Sequence, residues 1–383
     1  MKCKLLDICV FRKGKVDVSK LTLKTYISTE NMLPNKGGVT EASSLPTVQL
    51  TQEYKKGDIL VSNIRPYFKK IWQAKCDGGC SSDVLVFQGN LNIDGDFLYY
   101  ILANDDFFAY SMATSKGTKM PRGDKTSIMQ YEVPIFDIDT QRKIASVLRS
   151  LDEKIELNST INNNLEQQAE AIFQSILSNA ITTVNLGEIA DVKGGKRLPK
   201  GVNLIDIPNA HPYIRVRDLN NALFASLTPN YAYVDKETQK SISRYIVSTG
   251  DVLISIVGTI GLTAIVDSTL DKANLTENCV KVTNLKHITP EYLLLYLRSQ
   301  LGREAIAKGT VGAVQQKLPI KNIQAIPIPL LSEKDKNALF CTLDSIFAGI
   351  SNNVIQSAKL ASLRDTLLPR LMSGELDVSD IDH

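Results

Sequence analysis

Apolar positions in the middle of the chain recur in steps of four and three: Ile144, Leu148, Leu151, Ile155, Asn158, Asn162, Leu165, Ala169, Ile172 and Ile176. This is a heptad seam, the pattern of a helix that pairs along its length. A second seam follows on a repeat register of about 192 positions, through Phe340, Leu343, Phe347, Ile350, Val354, Ser357, Ala361 and Leu368. A helix of about 38 residues runs roughly 55–60 Å, too long to be buried within one small domain. The spacing therefore predicts two long helices packed antiparallel. The polar Asn158 and Asn162 either fix the register of that pairing or mark a slip that turns both amides to solvent.

Elsewhere the period shortens. Asp58–Ser62 and Val84–Phe87 read as strands, as do Val252–Ile256, Thr263–Val266 and Val280–Thr283, being short β-branched runs set off by turn residues. Asp96–Ser115 and Pro290–Lys308 each read as one helix, with Pro290 in a first turn that tolerates proline. These elements come in duplicate. Gly57-Asp58-Ile59-Leu60-Val61-Ser62 returns as Gly250-Asp251-Val252-Leu253-Ile254-Ser255, and Lys116-Gly117-Thr118 with Lys125 matches Lys308-Gly309-Thr310 with Lys317. A repeat this long is a whole domain plus a helix rather than a solenoid unit. The expected fold is α+β: two related α/β lobes joined by two long antiparallel helices in a coiled-coil-like spacer, with a pseudo-twofold internal repeat. The expected boundaries are 1–138 for the first lobe, 139–182 for the central helix, 183–331 for the second lobe, 332–375 for the distal helix and 376–383 for a tail.

Composition narrows the class. With 43% hydrophobic and 22% charged residues, the chain has the make-up of a soluble globular protein. No uninterrupted apolar run reaches the roughly 18 residues that span a bilayer, and six scattered cysteines are no disulfide framework. The expected setting is the reduced cytoplasm, with no membrane partner. A net charge of +3 does not by itself indicate nucleic acid, but the cations cluster at matching places in both lobes.

Phosphate contacts need cations, hydroxyls and backbone amides, whereas base readout needs forked or amide groups. On that chemistry the first-lobe candidates for DNA contact are Ser62, Asn63, Arg65, Tyr67 and Lys69, with Lys116, Thr118, Lys119 and Arg122 in a small-residue loop. In the second lobe Lys193, Lys196 and Arg197 flank Gly194-Gly195 as a phosphate loop, and Arg215 and Arg217 alternate on one strand face. Thr310, Gln315 and Lys317 repeat the first lobe's loop. No catalytic residue and no metal ligand is expected. The chain has no dinucleotide or phosphate-loop fingerprint and no amino-methyltransferase motif, and Cys76 and Cys80 lack the further ligands a zinc site needs.

The central segment "VPIFDIDTQRKIASVLRSLDEKIELNSTINNNLEQQAEAIFQSIL", the terminal "LASLRDTLLPRLMSGELDV", and "YISTENM", "GDILVSNIRPYFKKI" and "GDVLISIVGTIGLTAIV" resemble the specificity (S) subunit of type I restriction–modification systems. The resemblance covers essentially the whole chain. It implies that each lobe is a target recognition domain reading one half of a bipartite, asymmetric duplex DNA sequence. It further implies that the helices set the spacer and dock two methyltransferase subunits, with Ile144, Leu148, Leu151, Ile155, Leu165, Ile172, Phe340, Leu343, Phe347, Ile350 and Leu368 along the seam. The chain itself would bind no cofactor; S-adenosylmethionine, ATP and Mg²⁺ would belong to the methyltransferase and restriction/translocase subunits. Two other readings stay open on the residues alone: a bilobal DNA-modifying enzyme with a site between the lobes, and a helix-mediated structural adaptor. Where the second lobe has Gly258-Thr259-Ile260-Gly261, the first has Ile64-Arg65-Pro66-Tyr67.

Overall fold

A computed structural model of the chain describes residues 2–220, 222–228, 231–313 and 315–379. The last four positions of the expected tail, 380–383, lie outside the described residues. The chain forms two compact units, Met1–Leu157 with Gln356–His383, and Asn158–Ile355. The division falls within the two long helices rather than at their ends, so each unit holds one lobe and a part of each helix.

In the first unit an antiparallel sheet runs in the order Cys9–Phe11, Val84–Gly89, Ile59–Ser62, Ile71–Gln73. Its inner strands are apolar on both faces because both faces are covered. Ile59, Val61, Leu85 and Phe87 pack with Phe97, Leu98, Ile101 and Phe107 of the helical layer. Their alternates, Leu60, Val84 and Val86, pack with Ile27, Met32 and Tyr54 on the other side. There a second sheet runs Lys15–Asp17, Leu50–Tyr54, Gly78–Cys80, Tyr26–Ile27, its last pair parallel.

The second unit repeats the plan. Its larger sheet runs Asp191–Gly194, Cys279–Thr283, Val252–Ser255, Thr263–Val266, Phe224–Ala225. Val252, Ile254, Val280 and Val282 face the helices, whereas Leu253, Ala264 and Cys279 face the opposite layer. The smaller sheet, Ala232–Tyr233, Pro212–Ile214, Asn274–Leu275, again ends in a parallel pair. Each lobe is closed by an antiparallel strand pair: Lys2–Lys4 with Glu132–Pro134, and Thr182–Asn185 with Pro327–Leu330.

Both expected lobe helices are broken in two. The first is Gly95–Ala103 then Asp105–Ala113, parted at Asn104, whose ψ of 140° is extended and whose side chain accepts from the Asp106 amide. The second is Pro290–Arg298 then Gln300–Gly309, parted at Ser299, whose hydroxyl accepts from the Gly302 amide. A side chain that caps the next helix competes with continuing the previous one.

The long helices are Ile138–Leu177 and Glu333–Ser373. In the first unit Ile144 and Leu148 are buried with Leu368, Leu371 and Met372, while Leu151 and Ile155 are half-buried. Beside them Arg364 pairs with Asp152 at 2.6 Å, and the Tyr100 hydroxyl donates to the same carboxylate at 2.7 Å. In the second unit Ala169, Phe173, Leu339, Leu343, Phe347 and Ile350 are buried together, with Leu165, Ile172 and Phe340 packed against them. Asn158 is 1% exposed. Its amide donates to the Asn353 carbonyl at 3.5 Å, and the Asn353 amide donates to Asn162 Oδ1 at 2.8 Å. The two asparagines thus face the partner helix and not solvent. Asn353 takes the inward position after Ile350, which corrects the expected Val354, now 37% exposed. Although no uninterrupted apolar run was expected to reach bilayer length, the distal helix is long and apolar enough to do so by length and composition. Of its apolar residues, Leu339, Leu343, Phe347 and Ile350 are buried in the core of the second unit and Leu368, Leu371 and Met372 in that of the first, while Ile355 and Leu363 stay exposed.

Candidate nucleic-acid interface

The repeated Gly-Asp pair is a structural device. Gly57 and Gly250 take φ of 91° and 87°, a left-handed turn that glycine adopts at no steric cost. The following carboxylate then caps that turn: Asp58 accepts from the Lys55 amide at 2.7 Å, and Asp251 from the Ser248 amide at 2.9 Å. Each aspartate is 4% exposed and ion-paired, Asp58 with Arg12 through two hydrogen bonds and Asp251 with Lys281 at 2.9 Å. Glycine and aspartate therefore hold the root of the central strand, and the candidate loops leave its far end.

In the first lobe those loops are stitched together. Ile64 bridges Arg122, which also bridges Lys116. The Arg65 amide donates to the Pro121 carbonyl at 2.8 Å, and the Gly123 amide to the Asn63 carbonyl at 3.1 Å. The structure brings Asn63, Arg65, Lys116 and Arg122 to one place, with Thr118 and Lys119 exposed at the tip. Tyr67, beyond Arg65, is 49% exposed. Ser62 is a correction: it is 4% exposed and its hydroxyl donates to the Ile64 carbonyl at 3.2 Å, so it shapes the strand end from inside.

The second lobe builds the same junction from other positions. Lys317 bridges both Val257 and Val311, and the Leu318 amide donates to the Ile256 carbonyl at 3.0 Å. Arg122 and Lys317 are thus structural equivalents, as are Gly117 and Gly312, with φ of 92° and 103°. The expected match of Lys116-Gly117-Thr118 to Lys308-Gly309-Thr310 is displaced by three residues. Lys308 and Gly309 end a helix, and the Thr310 hydroxyl donates to the Ile306 carbonyl at 2.9 Å as its cap. Gln315 and Lys317 are exposed.

Two further expectations are corrected here. Arg215 and Arg217 do not alternate on a strand, because the strand ends at Ile214 and Val216–Asp218 form a 3-10 turn. Arg215 is held in a two-pronged pair with Asp218 at 2.8 and 3.0 Å, whereas Arg217 is 70% exposed. The Lys193–Arg197 segment is no backbone phosphate cradle. The Gly195 amide donates to the Cys279 carbonyl and the Lys196 amide to the Leu275 carbonyl, and amides paired internally have no proton left for an anion. The cationic side chains there are themselves engaged: Lys193 beside Asp191 at 3.0 Å, Arg197 beside Glu277 at 3.4 Å, and Lys196 over the Tyr245 ring.

Sequence reasoning missed the counter-ions. Lys69 pairs with Asp105 at 2.7 Å, Lys116 with Asp124 at 2.6 Å and Arg122 with Asp83 at 3.1 Å. Each partner holds its cation in place beside a carboxylate. The Lys116 ammonium, with the Ser127 amide and hydroxyl, draws the Asp124 carboxyl down to about 2. Since the folded value lies below the ordinary one, this anchoring is fully present above about pH 4 and is lost only as pH falls through about 2. Carboxyl-detected NMR is expected to show that low midpoint in the wild type and a rise toward the ordinary aspartate range in Lys116→Ala.

Two lobes on one plan, each with a cation-bearing loop pair at the end of its central strand, define a duplicated protein. The chain belongs to the type I restriction modification DNA specificity domain family, whose model matches residues 1–167 and again residues 180–359. Its role is recognition of DNA sequence. It is similar to the type I restriction enzyme HindI specificity subunit of Haemophilus influenzae, at 24% identity over 92% of this chain and 94% of that one. It is also similar to the MjaIX specificity subunit of Methanocaldococcus jannaschii, at 22% identity over 75% and 70% of the two chains. Among solved structures the type I S subunit from M. genitalium shares the fold, with a TM-score of 0.58 at 17% identity over 97% of this chain and 96% of that one.

Proposed function

We propose that the two lobes read the two halves of a bipartite, asymmetric duplex target separated by a non-specific spacer. The observation that carries this reading is the recurrence of one stitched loop junction, Ile64–Arg122–Lys116 in one lobe and Val257–Lys317–Val311 in the other. The two junctions share their backbone but differ in side chains, as two readers of two different half-sites should. The paired long helices set the spacer length and dock two adenine methyltransferase subunits, and ATP-driven restriction/translocase subunits join for cleavage. In this reading the chain does no chemistry of its own. S-adenosylmethionine, ATP and Mg²⁺ act on the partner subunits, and the assembly works in the cytoplasm.

The test is selection from a random duplex library with the full chain bound to its methyltransferase partner. A split consensus is expected, with affinity falling steeply between 50 and 200 mM salt. A complex that enriches no sequence would refute the proposal.

A further inference from the structure

Arg65 and Lys69 of the first lobe sit at φ of 51° and 50°, left-handed backbone that a side chain makes costly. The second lobe has Gly258 and Gly261 at the equivalent places, at 81° and 86°. The equivalence is one of hydrogen bonding. The Ser62 amide donates to the Lys70 carbonyl as the Ser255 amide does to Leu262, and Gly123 donates to Asn63 as Leu318 does to Ile256. One lobe thus puts forked and cationic side chains where the other keeps bare backbone. Strain of this kind persists where a side chain's function requires the position.

The two residues are not alike in their surroundings. Lys69 is neutralised by Asp105, as Lys116 is by Asp124 and Arg122 by Asp83. Arg65 has no ion pair among the described residues, and its Nε has no hydrogen-bond partner; neither does Oδ1 of Asn63, two residues before it. Arg65 thus stands uncommitted among the paired Lys69, Lys116 and Arg122, and a buried Nε left without an acceptor calls for an explanation. It also stands at the start of the Pro66–Phe68 turn.

We infer that Arg65 is a base-reading residue of the first lobe, and that the base it reads is guanine, whose O6 and N7 match the two-pronged guanidinium in the major groove. The inference rests on the reading that the lobes bind duplex DNA. The second lobe, with Gly258 in that place, reads its half by other groups.

The test repeats the library selection with Arg65→Gly and Arg65→Lys in the full chain with its methyltransferase partner. One guanine in one half-site is expected to lose its preference by roughly 5- to 150-fold, with the other half-site unchanged. Arg65→Gly is expected to melt no lower than wild type, because glycine is unstrained at that φ. Lysine keeps the charge but not the rigid fork, so Arg65→Lys should weaken the guanine preference, and it decides the matter if Arg65→Gly does not fold. An unchanged consensus in both variants would overturn the inference, as would a sequence-independent weakening with a salt slope shallower by about one, which marks a phosphate contact. If the wild type itself selects no split site, the underlying reading of the lobes fails, and that result is distinct from an altered variant beside a normal wild type.

Discussion

Asp251→Ala is expected to destabilise the protein by about 3–5 kcal/mol, the usual cost of removing one partner from a buried ion pair. The substitution strands the Lys281 ammonium, only 15% exposed, and frees the Ser248 amide that the carboxylate caps. Asp58→Ala should act similarly through Arg12. Urea unfolding followed by circular dichroism measures both. A control separates the ion pair from the turn: replacing Asp251 and Lys281 together with apolar residues removes the stranded charge. It should recover much of the loss, since paired apolar replacements are often nearly neutral. A cost below about 1 kcal/mol for either single alanine variant would show that the repeated aspartate is not a structural anchor.

The second large effect concerns the long helices. Under the proposed spacer role, one heptad added to the central helix between Leu157 and Asn158, and one to the distal helix between Ile355 and Gln356, lengthens both where the two units divide. Seven residues keep the seam nearly in phase and add about 10 Å, close to three base pairs at roughly 3.4 Å each. The selected consensus should keep both half-sites and gain about three undefined positions between them. An unchanged spacer would remove the helices from the measuring role.

Much of the architecture was legible in the sequence because its signals are local and periodic. The central strands and the distal helix lie within a residue or two of where the β-branched runs and the heptads place them. The central helix instead ends at Leu177, five residues short of the expected 182, because Thr182–Asn185 pairs as a strand with Pro327–Leu330. The expected fusion of each helix pair across Asn104 and Ser299 failed for a local reason, since either residue can lie within a helix or cap the next one. The candidate site was legible only in part. Lys281 lies 30 positions from Asp251 and Arg12 lies 46 from Asp58, so no window of sequence shows that the most conspicuous repeat is an anchor. The Lys-Gly-Thr match misled because three identical letters outweighed a three-residue offset, and only the bridges to Arg122 and Lys317 reveal that offset. Arg215 looked free because its captor, Asp218, closes on it only once the strand has ended and turned.

The short strand pairs that fasten each lobe, Lys2 against Pro134 and Thr182 against Leu330, bring the first and last residues of a lobe side by side. A segment whose two ends meet in this way is a cassette. Under the proposed reading of the lobes, exchanging it whole with the matching segment of a relative would leave the flanking helices undisturbed and carry its half-target along, with the remainder of the molecule unchanged.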